Sequence, residues 1–236
     1  MLLLTLLGLA EFYRMALPER RGVGLTASCA GALLPLALLS PEHFMLQPAL
    51  TLIVITFALI FLFTIRDIKA AGGEVALLFL GILYVPLLLG HLILLRGVTN
   101  GTEWVFLLMV IVMAGDTGAY YVGSNFGKRK LYEIVSPNKS VEGALGGLAG
   151  SIIGAFIAKA TFFPSLSAFD SLATALLLGI LGQLGDLFES FLKRSFGVKD
   201  SGTIFPGHGG ILDRLDSILF AAPAAYYYAW FVFTHH

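Results

Sequence analysis

Long apolar runs separated by short polar joins follow one another down almost the whole chain. They predict membrane helices at about 1–17, 25–39, 49–65, 75–95, 104–122, 143–163, 171–193 and 213–233. Each run approaches the roughly 20 residues needed to cross a bilayer, the first being rather short. Pro86 falls inside the fourth run and predicts a kink, which lipid-embedded bundles tolerate. Gly146, Gly150 and Gly154 recur every fourth residue in the sixth run, a small-residue stripe that lets another helix approach closely. Met1–Leu17 lacks a basic leading region and a small-residue cleavage site, so it is read as a membrane helix and not as a signal peptide. Residues 124–142 are too polar to span and are expected to form a loop outside the bilayer. The fold class that follows is all-α: a polytopic integral membrane bundle of about eight transmembrane helices. It is expected to form a single domain over 1–236, with residues 1–103 mainly scaffold.

Composition agrees. Apolar residues make up 57% of the 236 residues and charged residues 13%, against about 45–50% and 25% in soluble domains. A formal net charge of zero argues against a broadly basic nucleic-acid binder. The basic residues are nonetheless unevenly placed. All of the 15 lysines and arginines except Arg96 and Lys159 lie in or beside the joins 18–24, 66–74, 124–142 and 194–212, which alternation puts on one side. The positive-inside rule makes that side cytoplasmic. The single Cys29 excludes an intramolecular disulfide and a CxxC centre, and reads as a small packing residue. His235 and His236 read as remnants of a tag.

The remaining polar residues concentrate in a few places. Asp116 sits in the later part of the fifth run, where a carboxylate costs on the order of 2.5–3.5 kcal/mol and therefore faces a partner, a cavity or a site. Asp186, Glu189, Ser190 and Lys193 share one face of the seventh helix; Glu189 and Lys193 also suit an ordinary i,i+4 ion pair at a helix end emerging into water. Asp213 and Asp216 open the eighth helix and, taken singly, suit capping. With Asp186 they supply the hard oxygens that Mg²⁺ shares with phosphates and water. Gly207, Gly209 and Gly210 surround His208 just before that helix, close in sequence to Lys199 and Arg214. Such a loop either turns the chain or cradles phosphate on its N–H groups. Lys128, Arg129 and Lys130 suit contact with anionic headgroups, whereas Lys139 and Ser140 stand directly before a helix start, where an anion binds.

The pattern Ser190-x-x-Lys193-Arg194, Lys199-Asp200-x-Gly202, Pro206-x-His208-Gly209-Gly210-x-x-Asp213-Arg214-x-Asp216 resembles the motif of the phosphatidate cytidylyltransferases, also called CDP-diacylglycerol synthases. GDTGAYYVGSNFGK from Gly115 to Lys128 and SPNKSVEG from Ser136 to Gly143 are similar to segments of the same family. The resemblance covers the second half, making 104–236 the expected catalytic half; the chain begins inside what resembles the second helix of such proteins. It implies transfer from CTP to phosphatidate with Mg²⁺, and room for a second cation, giving CDP-diacylglycerol and pyrophosphate. On the matching positions Asp186 and Asp213 hold the metal, with Asp216 close by, and Lys193 and His208 join them in catalysis, His208 as a donor to a phosphate oxygen. Asp116, Lys139, Ser140, Ser190, Arg194, Lys199, Asp200, Gly209, Gly210 and Arg214 are the expected substrate contacts. Membrane lipids surround the bundle, and its small-residue stripes permit a homodimer.

Two alternatives stand beside this reading. One is the same chemistry on an isoprenoid ether-lipid phosphate. The other is a transporter, suggested by Asp116 and the kinked fourth helix but lacking the internal repeat that transporters show.

Overall fold

The computed structural model describes residues 1–40, 45–204 and 209–233. Among these residues, regular structure is helical apart from one two-stranded ribbon, the all-α membrane architecture that the apolar pattern predicts. Each expected segment contains a helix: α1 (Leu2–Ala16), α2 (Arg21–Ala32) with a short continuation α3 (Leu34–Ala37), α4 (Leu46–Phe63), α5 (Ile68–Gly97), α6 (Gly101–Phe126), α7 (Val141–Thr161), α8 (Ala168–Ser195) and α9 (Leu212–Phe231). Helices α4 to α8 combine the length and apolarity needed to cross a membrane. The 15 residues of α1 reach only about 22 Å at 1.5 Å per residue, short of a hydrocarbon core of about 30 Å.

The details depart from the pattern at three places. Pro35 has no N–H to give the carbonyl one turn back, and α2 ends at Ala32, with Leu33 between it and α3. Pro86 does the same inside α5, where Leu83–Leu87 widens into a π turn instead of ending the helix. Finally, the segment 124–142 is not all loop. α6 runs on to Phe126, and β1 (Lys130–Tyr132) pairs antiparallel with β2 (Ser136–Ser140), with Lys130 opposite Ser140.

Contacts gather the chain into two compact units, one formed by Met1–Ile93 with Val198–Arg214, the other by Leu94–Gly197 with Leu215–His236. In the first, Tyr13 on α1 fills the space left by Gly24 on α2 and Gly81 on α5, and its hydroxyl donates to the Leu78 carbonyl at 2.7 Å. Arg20, expected in a polar turn, is buried. Its guanidinium donates to Glu74 Oε2 at 3.0 Å and to the Thr64 carbonyl at 2.6 Å, and lies 5.4 Å from the centroid of the Phe61 ring. The outer face of α4, with Leu52, Ile55, Leu59, Leu62 and Phe63, is exposed and apolar, as a lipid-facing helix must be.

The second unit is built on the glycine stripe. A Cβ on Gly146 would strike Val122, one on Gly150 the Ala114 carbonyl, and one on Gly154 the Ala114 side chain. Gly118 answers from α6 by facing the Gly146 carbonyl. The two helices therefore run antiparallel at near backbone contact, the small-residue mode expected. Gly179 on α8 closes on Ser151, whose hydroxyl donates to the Ile111 carbonyl at 3.1 Å. Gly185, further along, abuts the Asp216 carbonyl of α9. A capping box of Ser167 and Asp170 starts α8, and the Tyr228 hydroxyl donates to Asp170 at 2.7 Å. Close packing of four helices at the glycines of α6, α7 and α8 is what brings their polar residues to one place.

Candidate active site

In the second unit the end of α6, the β2 strand, the start of α7 and the later half of α8 enclose a cavity of ≈ 520 Å³. Asp116, Ser124, Asn138, Lys139, Gln183 and Asp186 supply its polar lining, and Ala119, Leu131 and Ala144 much of the rest. The volume lies within the roughly 300–1,000 Å³ of small-molecule sites.

Lys139 is placed by the ribbon. Strand β2 leads directly into α7, and Ser140 caps that helix by accepting the Gly143 N–H at 3.1 Å. Glu142 in the same turn accepts from the N–H groups of Lys128 and Arg129 at 3.0 and 3.1 Å, tying the ribbon's start to the helix start. Ser140 is thus primarily a cap, although it also borders the cavity. With the backbone fixed on both sides, the Lys139 ammonium reaches Asp186 Oδ2 at 2.7 Å. Both side chains stay about a quarter to a third exposed, at 26% and 34%, so the pair faces the cavity and not the core. Asp116 acts electrostatically on this pair from α6. The Gln183 amide donates to the Ala144 carbonyl at 3.1 Å one turn before Asp186.

Two turns of α8 continue the polar face inward. Glu189 is fully buried and paired with Lys193 at 2.6 Å. The ion pair expected at a helix end in water does form, but it is buried, with side-chain exposures of 0% and 11%. Charges taken from water in this way are weak evidence for stability and better evidence of a site. Asp216, half-buried on α9, interacts electrostatically with Asp186, Glu189 and Asp116, so four carboxylates and two lysines share this region. Ser190 is half-buried beside Glu189, and Arg194 is exposed at the end of α8.

Among the described residues no three His, Cys, Asp or Glu side chains gather closely enough to hold a metal ion alone. The donor set still suits Mg²⁺, which is bound through one or two carboxylates together with substrate phosphates and water.

In the first unit the rest of the motif forms a different arrangement. Asp213 Oδ2 accepts from the N–H groups of Ser201 at 2.9 Å and Gly210 at 2.7 Å, and lies 2.8 Å from the Ser201 hydroxyl. These donors lie in the loop before α9, so Asp213 ties that loop to the helix start instead of capping the N–H groups of the helix itself. Of the glycine loop expected to cradle phosphate, the Gly210 N–H is thus engaged and Gly207 lies outside the described residues, while the Ile211 and Leu212 N–H groups that follow bond to Glu11 at 3.0 and 2.9 Å. Gly209 has φ +82°, a left-handed conformation that favours glycine, and a Cβ there would strike the Asp213 carboxylate. Lys199, Asp200 and Arg214 are exposed. His208 lies outside the described residues. Sequence reasoning passed over Glu11, Ser201, Asn138 and Gln183.

A helical membrane protein with one acidic, lysine-bearing cavity built at glycine-packed helices is the class that fold and site define. Its sequence matches the profile of the cytidylyltransferase family over residues 1–232, and the chain belongs to that family. It is 43% identical over 155 residues to the phosphatidate cytidylyltransferase of Bacillus subtilis (strain 168), covering 65% of this chain and 58% of that protein. It is 39% identical over 173 residues to the phosphatidate cytidylyltransferase of Staphylococcus saprophyticus, covering 73% and 66%. With the Staphylococcus aureus (strain COL) protein of the same name it shares 46% identity over 125 residues, 53% of this chain and 48% of that protein. The matched stretch thus spans about half to two thirds of the length of these relatives.

Proposed function

We propose that the chain transfers a cytidylyl group from CTP to phosphatidate, giving CDP-diacylglycerol and pyrophosphate. The observation that carries this reading is the Lys139–Asp186 pair facing a cavity with Asp116, in a chain of the cytidylyltransferase family. The names of the relatives supply the lipid acceptor.

The chemistry asks little of a base. A phosphate monoester loses its second proton near a pKa of about 6, so phosphatidate arrives as an anionic nucleophile. One of its oxygens forms a bond to the α-phosphorus of CTP, and the bond from that phosphorus to the bridging oxygen breaks with pyrophosphate. The difficulty is to bring two polyanions together and to stabilise charge on the leaving group. Lys139, at the start of α7, offers its ammonium where the helix dipole also favours an anion. Lys193 can add a second positive charge from α8. Asp186 and Asp216 would hold Mg²⁺, to which the sequence motif adds Asp213; the ion would neutralise phosphate charge. Lys139, which faces the same cavity, would set its positive charge against phosphate. The uneven basic joins support a cytoplasmic position for this cavity by the positive-inside rule, where CTP is available.

The test is the chain reconstituted in liposomes with labelled CTP, Mg²⁺ and phosphatidate. Label should enter the lipid fraction with release of pyrophosphate; equal transfer to an isoprenoid ether-lipid phosphate would replace the acceptor assignment, and no transfer to either would end the reading.

A further inference from the structure

Glu11 stands in the apolar helix α1 between Ala10 and Phe12, with only 1% of its surface exposed. Among the described residues, every group that satisfies it comes from the segment about 190 to 200 residues later. Oε1 accepts the Ile211 N–H at 3.0 Å; Oε2 accepts the Leu212 N–H at 2.9 Å and lies 3.0 Å from the Ser201 hydroxyl. Ile211 and Leu212 are the last residue before α9 and its first, so these N–H groups have no partner within the helix. Glu11 therefore caps α9 from a different helix.

The loop is shaped around that carboxylate. A Cβ on Gly202 or on Gly210 would collide with Glu11, and one on Gly209 with Asp213. Three motif glycines are thus accounted for by two carboxylates. Between these carboxylates lies Ser201, whose hydroxyl is within hydrogen-bond distance of both, 3.0 Å from Glu11 and 2.8 Å from Asp213. A hydroxyl has one hydrogen to donate, so it serves one of them at a time.

We propose that Glu11 is a positioning residue for nucleotidyl transfer, the fixed anchor that sets residues 201–202, 209–211 and the start of α9 so that Asp213 and Arg214 leave the helix in a defined direction. Glu11 keeps two backbone donors whichever way Ser201 turns. Asp213 can therefore give up the Ser201 hydroxyl to engage substrate while the loop stays anchored. The catalytic part of this proposal rests on the function proposed above. A carboxylate is required at position 11 because a carboxamide would turn an NH₂ toward one of two buried N–H donors.

The test uses the whole chain in lipid nanodiscs, comparing Glu11→Gln, Ser201→Ala and the double variant with wild type. Amide hydrogen exchange at Ile211 and Leu212 should quicken by about tenfold or more in Glu11→Gln, with exchange in α6 and α7 unchanged. In the same variant kcat should fall by about 10²-fold, the scale of a small misplacement at a reacting centre, while KM for CTP stays within about threefold. Adding Ser201→Ala should cost less in the Glu11→Gln background than in wild type. Unchanged exchange at Ile211 and Leu212, or wild-type kcat in Glu11→Gln, would overturn the proposal. So would a kcat loss matched by loss of folded protein throughout. A wild-type chain inactive toward CTP would remove the catalytic part along with the functional reading. The exchange result would still decide whether Glu11 anchors the loop.

Discussion

Asp186 and Glu189 are one turn apart on the same helix, yet they call for opposite outcomes. Asp186 is one-third exposed to a cavity and paired to a lysine that is itself about a quarter exposed there. Asp186→Asn should leave the fold intact and lower turnover by about 10²–10³-fold, the cost of removing one charge placed to meet the transition state. Parallel thermal unfolding of the purified variant checks that the loss is chemical. Glu189 is fully buried against Lys193. Glu189→Ala leaves a buried ammonium without its carboxylate and should destabilise the protein by about 3–5 kcal/mol, measured as a fall in the unfolding midpoint in detergent. Lys139→Ala should weaken turnover through loss of anion stabilisation, with no comparable loss of stability, because its ammonium is partly exposed. The residue types of this site were legible in the sequence, since Asp116, Lys139, Asp186, Lys193 and Asp216 stand out in an apolar chain. Glu11 was legible by the same argument as Asp116, a carboxylate inside an apolar helix. Its partners were not, because nothing local connects a residue in α1 to backbone N–H groups 200 residues away.

At the scale of elements, the glycine spacing in α7 predicted close helix packing without naming the neighbour. The structure supplies it: Gly118 of α6 and Gly150 of α7 each face a backbone carbonyl across the contact. A carbonyl in a helix cannot swing aside as a side chain can. Gly150→Val should therefore separate α6 from α7 and cost about 1–3 kcal/mol, with activity falling because both helices line the cavity. Gly72→Val, at a position with nothing within 4 Å of a Cβ, is the control and should leave the unfolding midpoint nearly unchanged. The β1–β2 ribbon escaped the hydropathy reading because its strands are short and β2 is almost wholly polar, so apolar alternation had nothing to report. Its consequence is nonetheless large, for it fixes Lys139 between a strand and a helix cap. Pro35 and Pro86 illustrate a further limit of sequence: the same missing N–H ends one helix and only widens a turn in the other.

For the molecule as a whole, the uneven basic residues make a prediction about sidedness. A cysteine placed at Asn138 in a Cys29→Ser background should react with an impermeant maleimide from the cytoplasmic face of vesicles and be protected from the opposite face. The account as a whole, however, rests on one claim: that the cavity holding Lys139 and Asp186 is where cytidylyl transfer occurs. The direct measurement is incorporation of labelled CTP into phosphatidate by the reconstituted chain, with and without a chelator, beside Asp186→Asn. The account predicts Mg²⁺-dependent labelled CDP-diacylglycerol from the wild-type chain and at least about a hundredfold less from the folded variant. Transfer by Asp186→Asn at the wild-type rate would contradict it.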